Sequence, residues 1–180
     1  MNVVLNIIFS IFSFFWFVIF FYIFISFIFK MLIPLVFWGA FYVQSQDNQV
    51  EKMIEFAEIK SQEKAVDLGA GDGKIVIALA KKGIEAHGYE INPILVWKAR
   101  QKINKARLNK KAFMHWGNLW GKNISDFDII IIYGISFAME KLEKKFKKEA
   151  KKNARIICNQ FCFPTWLPIK KDKKVYLYKK

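Results

Sequence analysis

The stretch Val66–Gly73, VDLGAGDG, constrains the fold more tightly than any other part of this chain. A short strand pattern, Lys64 to Leu68, ends in Gly69-Ala70-Gly71-Asp72-Gly73. A helical pattern starts at once at Lys74. Glycines there let the backbone turn sharply and approach a bound ligand closely. A strand that feeds a helix through such a turn implies a sheet of parallel strands joined by right-handed crossovers.

The rest of the soluble part repeats that alternation. Val50, Met53, Ile54 and Ala57 recur at helical spacing. After the first strand, Lys74 to Lys82 predicts a helix closed by Gly83, and Ile84 to Glu90 a second strand. Pro93 suits the first turn of a helix reaching to about Arg107. Ala112 to Trp116 predicts a brief third strand. Phe127 to Tyr133 is apolar throughout, as a strand buried on both faces must be. Phe137 to Lys152 predicts a basic amphipathic helix with Phe137, Leu142 and Phe146 inward. Ala154 to Asn159 predicts a fifth strand and Lys174 to Tyr178 a last one. The fold class is therefore α/β, a Rossmann-like, doubly wound and mostly parallel sheet. In such sheets ligands bind outside the carboxyl ends of the strands. The informative positions are thus Asp67 to Gly73, Glu90, Asn118 and Tyr133.

The residue types at those ends narrow the ligand. The glycine spacing is G-x-G-x-G rather than the dinucleotide G-x-G-x-x-G, and the Gly-Lys-Ser/Thr ending of a phosphate-cradling loop is absent. Asp67 would repel a pyrophosphate but suits a ligand carrying an ammonium and a sulfonium. S-adenosylmethionine carries both and has no phosphate. Glu90, 23 residues past Asp67, stands where an acid hydrogen-bonds ribose hydroxyls in this architecture. Asn118 can pair with an adenine amino group, with Leu119 or Trp120 over the ring; a plain turn is the competing reading of Asn118.

The N-terminal segment obeys different rules. Val3 to Phe29 is a 27-residue apolar run interrupted by Asn6, Ser10, Ser13 and Ser26. About 20 such residues span the hydrocarbon core as a helix. A secretory leader fits poorly: the run is too long, no Lys or Arg precedes it, and no small-residue cleavage site follows. The expected organisation is a transmembrane anchor over 1–30, an interfacial or linker segment over 31–48, and a catalytic domain over 49–180. Within the middle segment Pro34 and Gly39 interrupt the pattern, and Trp38 and Tyr42 suit headgroup level. Lys30 is the only charged residue before Gln44, so 28 of 29 basic residues and all 15 acids follow it, about +13 net. The positive-inside tendency then puts a single-pass protein's domain in the cytoplasm. Such a charge favours anionic partners, lipid headgroups among them, or is simply a solvated Lys-rich surface. Cys158 and Cys162 read as reduced thiols. His87 and His115 are isolated in the sequence, and no metal-ligand spacing is present.

VDLGAGDG with GYE and then INP resembles the class I, seven-strand S-adenosylmethionine-dependent methyltransferases. The longer pattern, VDLGAGDGKIVIALAKKG, then GYEINPILV, GNLW and CNQFCFP, resembles the small protein-lysine methyltransferases related to those of the ATP synthase c-ring protein and the adenine nucleotide translocase. The resemblance covers roughly residues 41–164. It implies S-adenosylmethionine as cofactor, with Asp67, Gly69, Ala70, Gly71, Asp72 and Gly73 around its methionine end. It places Glu90 and Ile91 at the ribose, Asn118 and Leu119 at the adenine, and Tyr133 near the transferring methyl. Tyr133 and Trp120 are the expected pocket liners, although ordinary core is as good a reading for Trp120. The sequence departs from the pattern in GAFYVQS, Gly39 to Ser45, which lacks the prolines of a GAPYVPT-like segment. Asn118 stands where Asp is common. The end of the chain is short, implying an abridged C-terminal hairpin.

The function implied is a membrane-tethered methyltransferase acting on lysine of a membrane-associated protein. A lipid or small-molecule methyltransferase and a non-catalytic S-adenosylmethionine-binding protein are the alternatives. The fourth strand ends in IIYGIS without an Asn/Asp-Pro-Pro-Tyr motif, which argues against a nucleic-acid acceptor.

Overall fold

The computed structural model describes residues 2–38 and 45–180. The chain falls into two units, Met1–Phe41 and Tyr42–Lys180.

The first unit is one helix, α1 (Asn2–Trp38). Within it Phe9–Ile28, 20 residues of mean hydropathy 2.5 and none of them buried, is long and apolar enough to cross a membrane. The helix is continuous through Pro34, where the sequence pattern predicts an interruption. A proline removes one backbone bond, and the helix runs on past it to Trp38. The expectations for Gly39 and Tyr42 lie outside the described residues.

The second unit is a seven-stranded sheet in the order β3-β2-β1-β4-β5-β7-β6. Its strands are β1 (Lys64–Leu68), β2 (Glu85–Glu90), β3 (Ala112–Trp116), β4 (Ile129–Tyr133), β5 (Arg155–Asn159), β6 (Lys170–Asp172) and β7 (Val175–Lys179). The first five are parallel, and β7 joins them antiparallel on β5 with β6 at the edge. The sequence pattern predicts β7 but not β6. Three residues of Lys-Lys-Asp carry no apolar alternation, and only pairing with β7 makes them a strand.

Helices α2 (Asp47–Ala57), α3 (Lys74–Lys81) and α4 (Pro93–Lys105) cover one face, while α5 (Met139–Glu149) lies on the other. The apolar run in β4 is explained by this sandwich. Ile129 and Ile131 pack into the cluster under α2–α4, and Ile130 and Ile132 into the cluster under α5. The expected start of β4 at Phe127 is two residues early, because the Phe127 amide closes a turn on the Ile124 carbonyl and Asp128 is a bend that anchors the strand's beginning. There the Asp128 carboxylate accepts from the Lys64 amide at 3.0 Å.

Phe137 departs from the inward face expected of α5. Leu142 and Phe146 are buried as predicted, but Phe137 is 83% exposed. It belongs to a 3-10 turn, Ser136–Ala138, that precedes the helix, so the α-helical periodicity does not extend back to it. Among the described residues no helix follows β5. Residues 160–169 instead cross α5's cluster, with Phe163 packed between Phe146, Trp166 and Tyr178 and its amide donating to the Tyr178 hydroxyl at 3.0 Å.

Gly88 in mid-β2 is a packing requirement rather than a turn. A Cβ there would meet Met114 Sδ at 2.5 Å, Ala70 Cβ at 2.7 Å and Val76 Cγ2 at 2.8 Å. Three separate elements close on that spot. Gly88→Ala is expected to lower stability by about 2–3 kcal/mol through overpacking, read as a fall in the urea midpoint of the detergent-solubilised chain.

Candidate active site

The strand ends that the sequence singles out converge on one rim. By alternation with Gly88, Ile131 and Ile157, the side chains of Asp67, Glu90, Tyr133 and Asn159 all point to the face that carries α2–α4. They sit at the carboxyl ends of β1, β2, β4 and β5.

The glycine loop is clamped to β2. The amides of Gly69 and Ala70 both donate to the Tyr89 carbonyl, at 2.9 and 3.0 Å. Gly73 takes φ +79° at the N-cap of α3, and a Cβ there would lie 2.9 Å from Ala99 Cβ of α4, so glycine is required on both counts. Glu90 is the keystone. Its Oε2 accepts from the Gly71 amide at 2.9 Å and its Oε1 from the Asn92 amide at 2.8 Å. One buried carboxylate thereby fixes the loop after β1 and the start of α4. Asn92 then caps α4 through its own Oδ1, which accepts from the Ile94 amide at 2.9 Å. The Glu90 carbonyl accepts from the Gly117 amide, tying the end of β3 to the same point.

Asp67 is buried beside this pair. Loss of water, and secondarily the charge of Glu90, push its carboxyl up to about 8. Among the described residues no basic side chain hydrogen-bonds to either acid, so two carboxyl groups in one dry corner form a natural seat for a cation. Asp72 is also buried, and Lys102 of α4 pairs with it.

The other expected residues lie around this corner. Ile91 is half-buried and its carbonyl accepts from Trp116 Nε1 at 2.9 Å. Asn118 is exposed, and its Oδ1 accepts from the Trp120 amide at 3.0 Å, capping a 3-10 turn. Leu119 and Trp120 pack against the α5 cluster. The Trp120 ring meets the Lys141 ammonium at 4.4 Å, and Trp120 does not line the cavity that Tyr133 lines. That cavity, about 740 Å³, opens between α2 and the β6–β7 turn and is walled by Gln46, Gln49, Lys52, Tyr133, Gln160 and Lys174.

Sequence reasoning missed α2's part in this rim. Gln49 lines the cavity, and Lys74 at the start of α3 ties back to the α2 entrance, donating to the Ser45 carbonyl at 2.6 Å. It also missed Asn159 and Gln160, whose signal was only a family-like CNQFCFP string. The two histidines, isolated in sequence, meet across the β2–β3 register. His87 Nδ1 lies 2.9 Å from His115 Nε2, and His87 Nε2 lies 2.9 Å from Glu85 Oε1. Burial and the cations around it hold His115 below the usual imidazole range. Among the described residues no three or more potential ligands gather into a metal site.

The arrangement matches known proteins. Residues 67–170 match the ANTKMT methyltransferase domain. The chain is 37% identical over 127 residues to the human lysine N-methyltransferase of the ATP synthase C-subunit, covering 71% of this chain and 54% of that protein. It is 30% identical over 129 residues to a protein-lysine N-methyltransferase of Saccharolobus islandicus (strain REY15A), covering 71% of this chain and 80% of that one. A crystal structure of an RNA methyltransferase from Salinibacter ruber, in complex with S-adenosyl-L-homocysteine, superposes with a TM-score of 0.73 at 27% identity, over 76% of this chain and 93% of that one. The chain spans about half the length of the mammalian relatives it matches.

A cation bound beside Asp67 would couple to the protonation of its carboxyl. A cationic ligand needs the carboxylate, which below about pH 8 is protonated in the free protein. With Asp67 as its seat, affinity for S-adenosylmethionine is expected to rise with pH toward about 8, at most tenfold per unit, and to stop rising there because the ligand's own α-ammonium begins to lose its proton at about the same pH. Calorimetry at about pH 6.5 in buffers of different ionisation enthalpy should register proton release on binding; uptake or no proton change would contradict the assignment.

Proposed function

Since this chain belongs to the ANTKMT methyltransferase domain family, a group of class I S-adenosylmethionine-dependent methyltransferases, we propose that it methylates lysine side chains of a membrane-associated protein while tethered to the bilayer by α1. The observation that carries the cofactor site is the buried Asp67–Glu90 pair at the glycine loop. A ligand with an ammonium, a sulfonium and ribose hydroxyls fits that seat. Asp67 and the loop Gly69–Gly73 hold its methionine end, Glu90 and Ile91 its ribose, and Asn118 and Leu119 its adenine.

S-adenosylmethionine supplies an electrophilic methyl group on a sulfonium. The chain's own residues have to align an amine with it and keep water out. A lysine arrives as an ammonium and must shed a proton to expose its lone pair. Tyr133 and the neighbouring dry strand ends disfavour the charged form, and the cavity over Tyr133 gives the proton a route to solvent.

The acceptor class is supported by two relatives named for lysine methylation, one of them acting on the ATP synthase C-subunit. The membrane setting is supported by Phe9–Ile28. The span at Phe9–Ile28, with Lys30 and a net positive domain after it, favours a cytoplasmic domain. Tethering raises the local concentration of bilayer-bound acceptors. The Lys-rich helices α4 and α5, on opposite faces of the sheet, each carry charge that suits anionic headgroups.

Incubating the full chain with tritiated S-adenosylmethionine and membranes from cells that lack it is expected to label a protein band at lysine. Label confined to extracted lipid would give the lipid-methyltransferase reading instead. Label confined to RNA would favour the chemistry of the Salinibacter ruber neighbour. No label, with calorimetric cofactor binding intact, would leave a non-catalytic binding protein. Glu90→Ala should weaken cofactor binding about 30-fold or more, because it removes the ribose partner and frees the loop.

A further inference from the structure

Asn159 ends β5 directly beside Tyr133, its register partner at the end of β4. It is fully buried, and its Oδ1 has no hydrogen-bond partner among the described residues. Its Nδ2 makes one long contact, 3.4 Å, to Gln49 Oε1 on α2. Buried amide oxygens without a donor are rare and ask for an explanation.

The backbone around this oxygen is held tightly. The Asn159 carbonyl accepts from the Gly134 amide at 2.8 Å. A Cβ on Gly134 would come within 3.2 Å of that same carbonyl oxygen and 2.9 Å of Met139 Sδ, so β4 and β5 cannot drift apart here without losing the fit. The next residue, Gln160, adopts φ +78°, a left-handed conformation unusual for a side-chain-bearing residue. Its amide donates to the Lys174 carbonyl at 2.8 Å, which holds the turn. Tyr133, Gln49 and Gln160, which surround Asn159, all line the cavity between α2 and the β6–β7 turn.

We infer that Asn159 receives the acceptor amine: its Oδ1 accepts an N–H from the ε-nitrogen of a target lysine that enters between Gln49 and Gln160 and lies over Tyr133. This rests on the lysine-methyltransferase reading above and adds the residue that positions the nucleophile. The chemistry favours an amide. A carboxylate at this position would stabilise the ammonium and oppose loss of its proton. A neutral oxygen holds the amine by one N–H and leaves the lone pair free to attack. The ammonium first gives one proton to water. The nitrogen lone pair then forms the bond to the methyl carbon as the carbon–sulfur bond breaks, its electron pair remaining on sulfur.

The deciding experiment sets the wild-type full chain beside Asn159→Leu and Asn159→Asp, with tritiated S-adenosylmethionine and membranes from cells lacking the protein. Wild-type failure to label lysine would remove the underlying function; the variants matter only once it labels. Asn159→Leu is expected to slow lysine labelling about 10- to 100-fold, the worth of one hydrogen bond at a reacting group. Its cofactor Kd by calorimetry should stay within about threefold, as a contact to the acceptor alone requires. Asn159→Asp should move the midpoint of the pH–rate profile about one unit higher, because a carboxylate holds the ammonium. Undiminished labelling by a folded Asn159→Leu overturns the assignment. So does a cofactor Kd that weakens in step with labelling, which would give Oδ1 to the cofactor. If Asn159→Leu does not fold, the isosteric Asn159→Asp decides alone, and an unmoved pH midpoint overturns the proposal.

Discussion

The rim of this sheet depends on the Glu90 carboxylate. Its two oxygens accept the amides of Gly71 and Asn92, while its own carbonyl accepts from Gly117. Three strand ends and the start of α4 are thereby fixed by one residue that water barely reaches. A charged acceptor makes such bonds roughly twice as strong as a neutral one. The same burial leaves Asp67 with no basic partner hydrogen-bonded to it among the described residues, and its carboxyl is accordingly pushed up to about 8. The geometry that holds the loop is thus also what makes the corner receptive to a cation.

The two faces of the sheet divide the remaining work. Helices α2, α3 and α4 cover the face toward which the site residues point, and their N-terminal ends reach the rim. The other face has α5 and the folded-over segment 160–169, with Phe163 at its centre. At the β2–β3 edge that face is covered by stacked rings. His87, Phe113, His115 and Tyr89 lie on one another at 4.9 to 5.2 Å, half-buried. On the side away from α4, stacked aromatic rings close that edge with few residues.

How far the sequence could be read depends on whether a feature is local. The strand–glycine–helix turn at Val66–Gly73 was legible because each residue's role is set by its immediate neighbours. The Ile-rich β4 was legible because burial on both faces removes the polar alternation. Phe137 misled, since helical spacing carries on formally into a 3-10 turn where the side chain swings out. The strand β6 was invisible because its residues have no strand-like pattern and are recruited by β7 alone. Asn118 was legible as a strand-end polar residue, and the fold uses its Oδ1 to cap the 3-10 turn through the Trp120 amide. Trp120 sits on the α5 side, held there by contacts from Lys141 and Lys145 that lie more than twenty residues away.

The sequence by itself determined that this chain has an apolar helix of membrane length and an α/β domain whose first strand runs through a glycine loop into a helix. Those are consequences of periodicity, charge and backbone freedom, which act over a few residues. Only the tertiary structure decided that Glu90 locks the loop, that His87 meets His115, and that Asn159 lies buried with an unpaired oxygen beside Tyr133. Each of these joins residues from different strands through the parallel register. Register is set by how whole faces pack against helices, so no single segment could announce it.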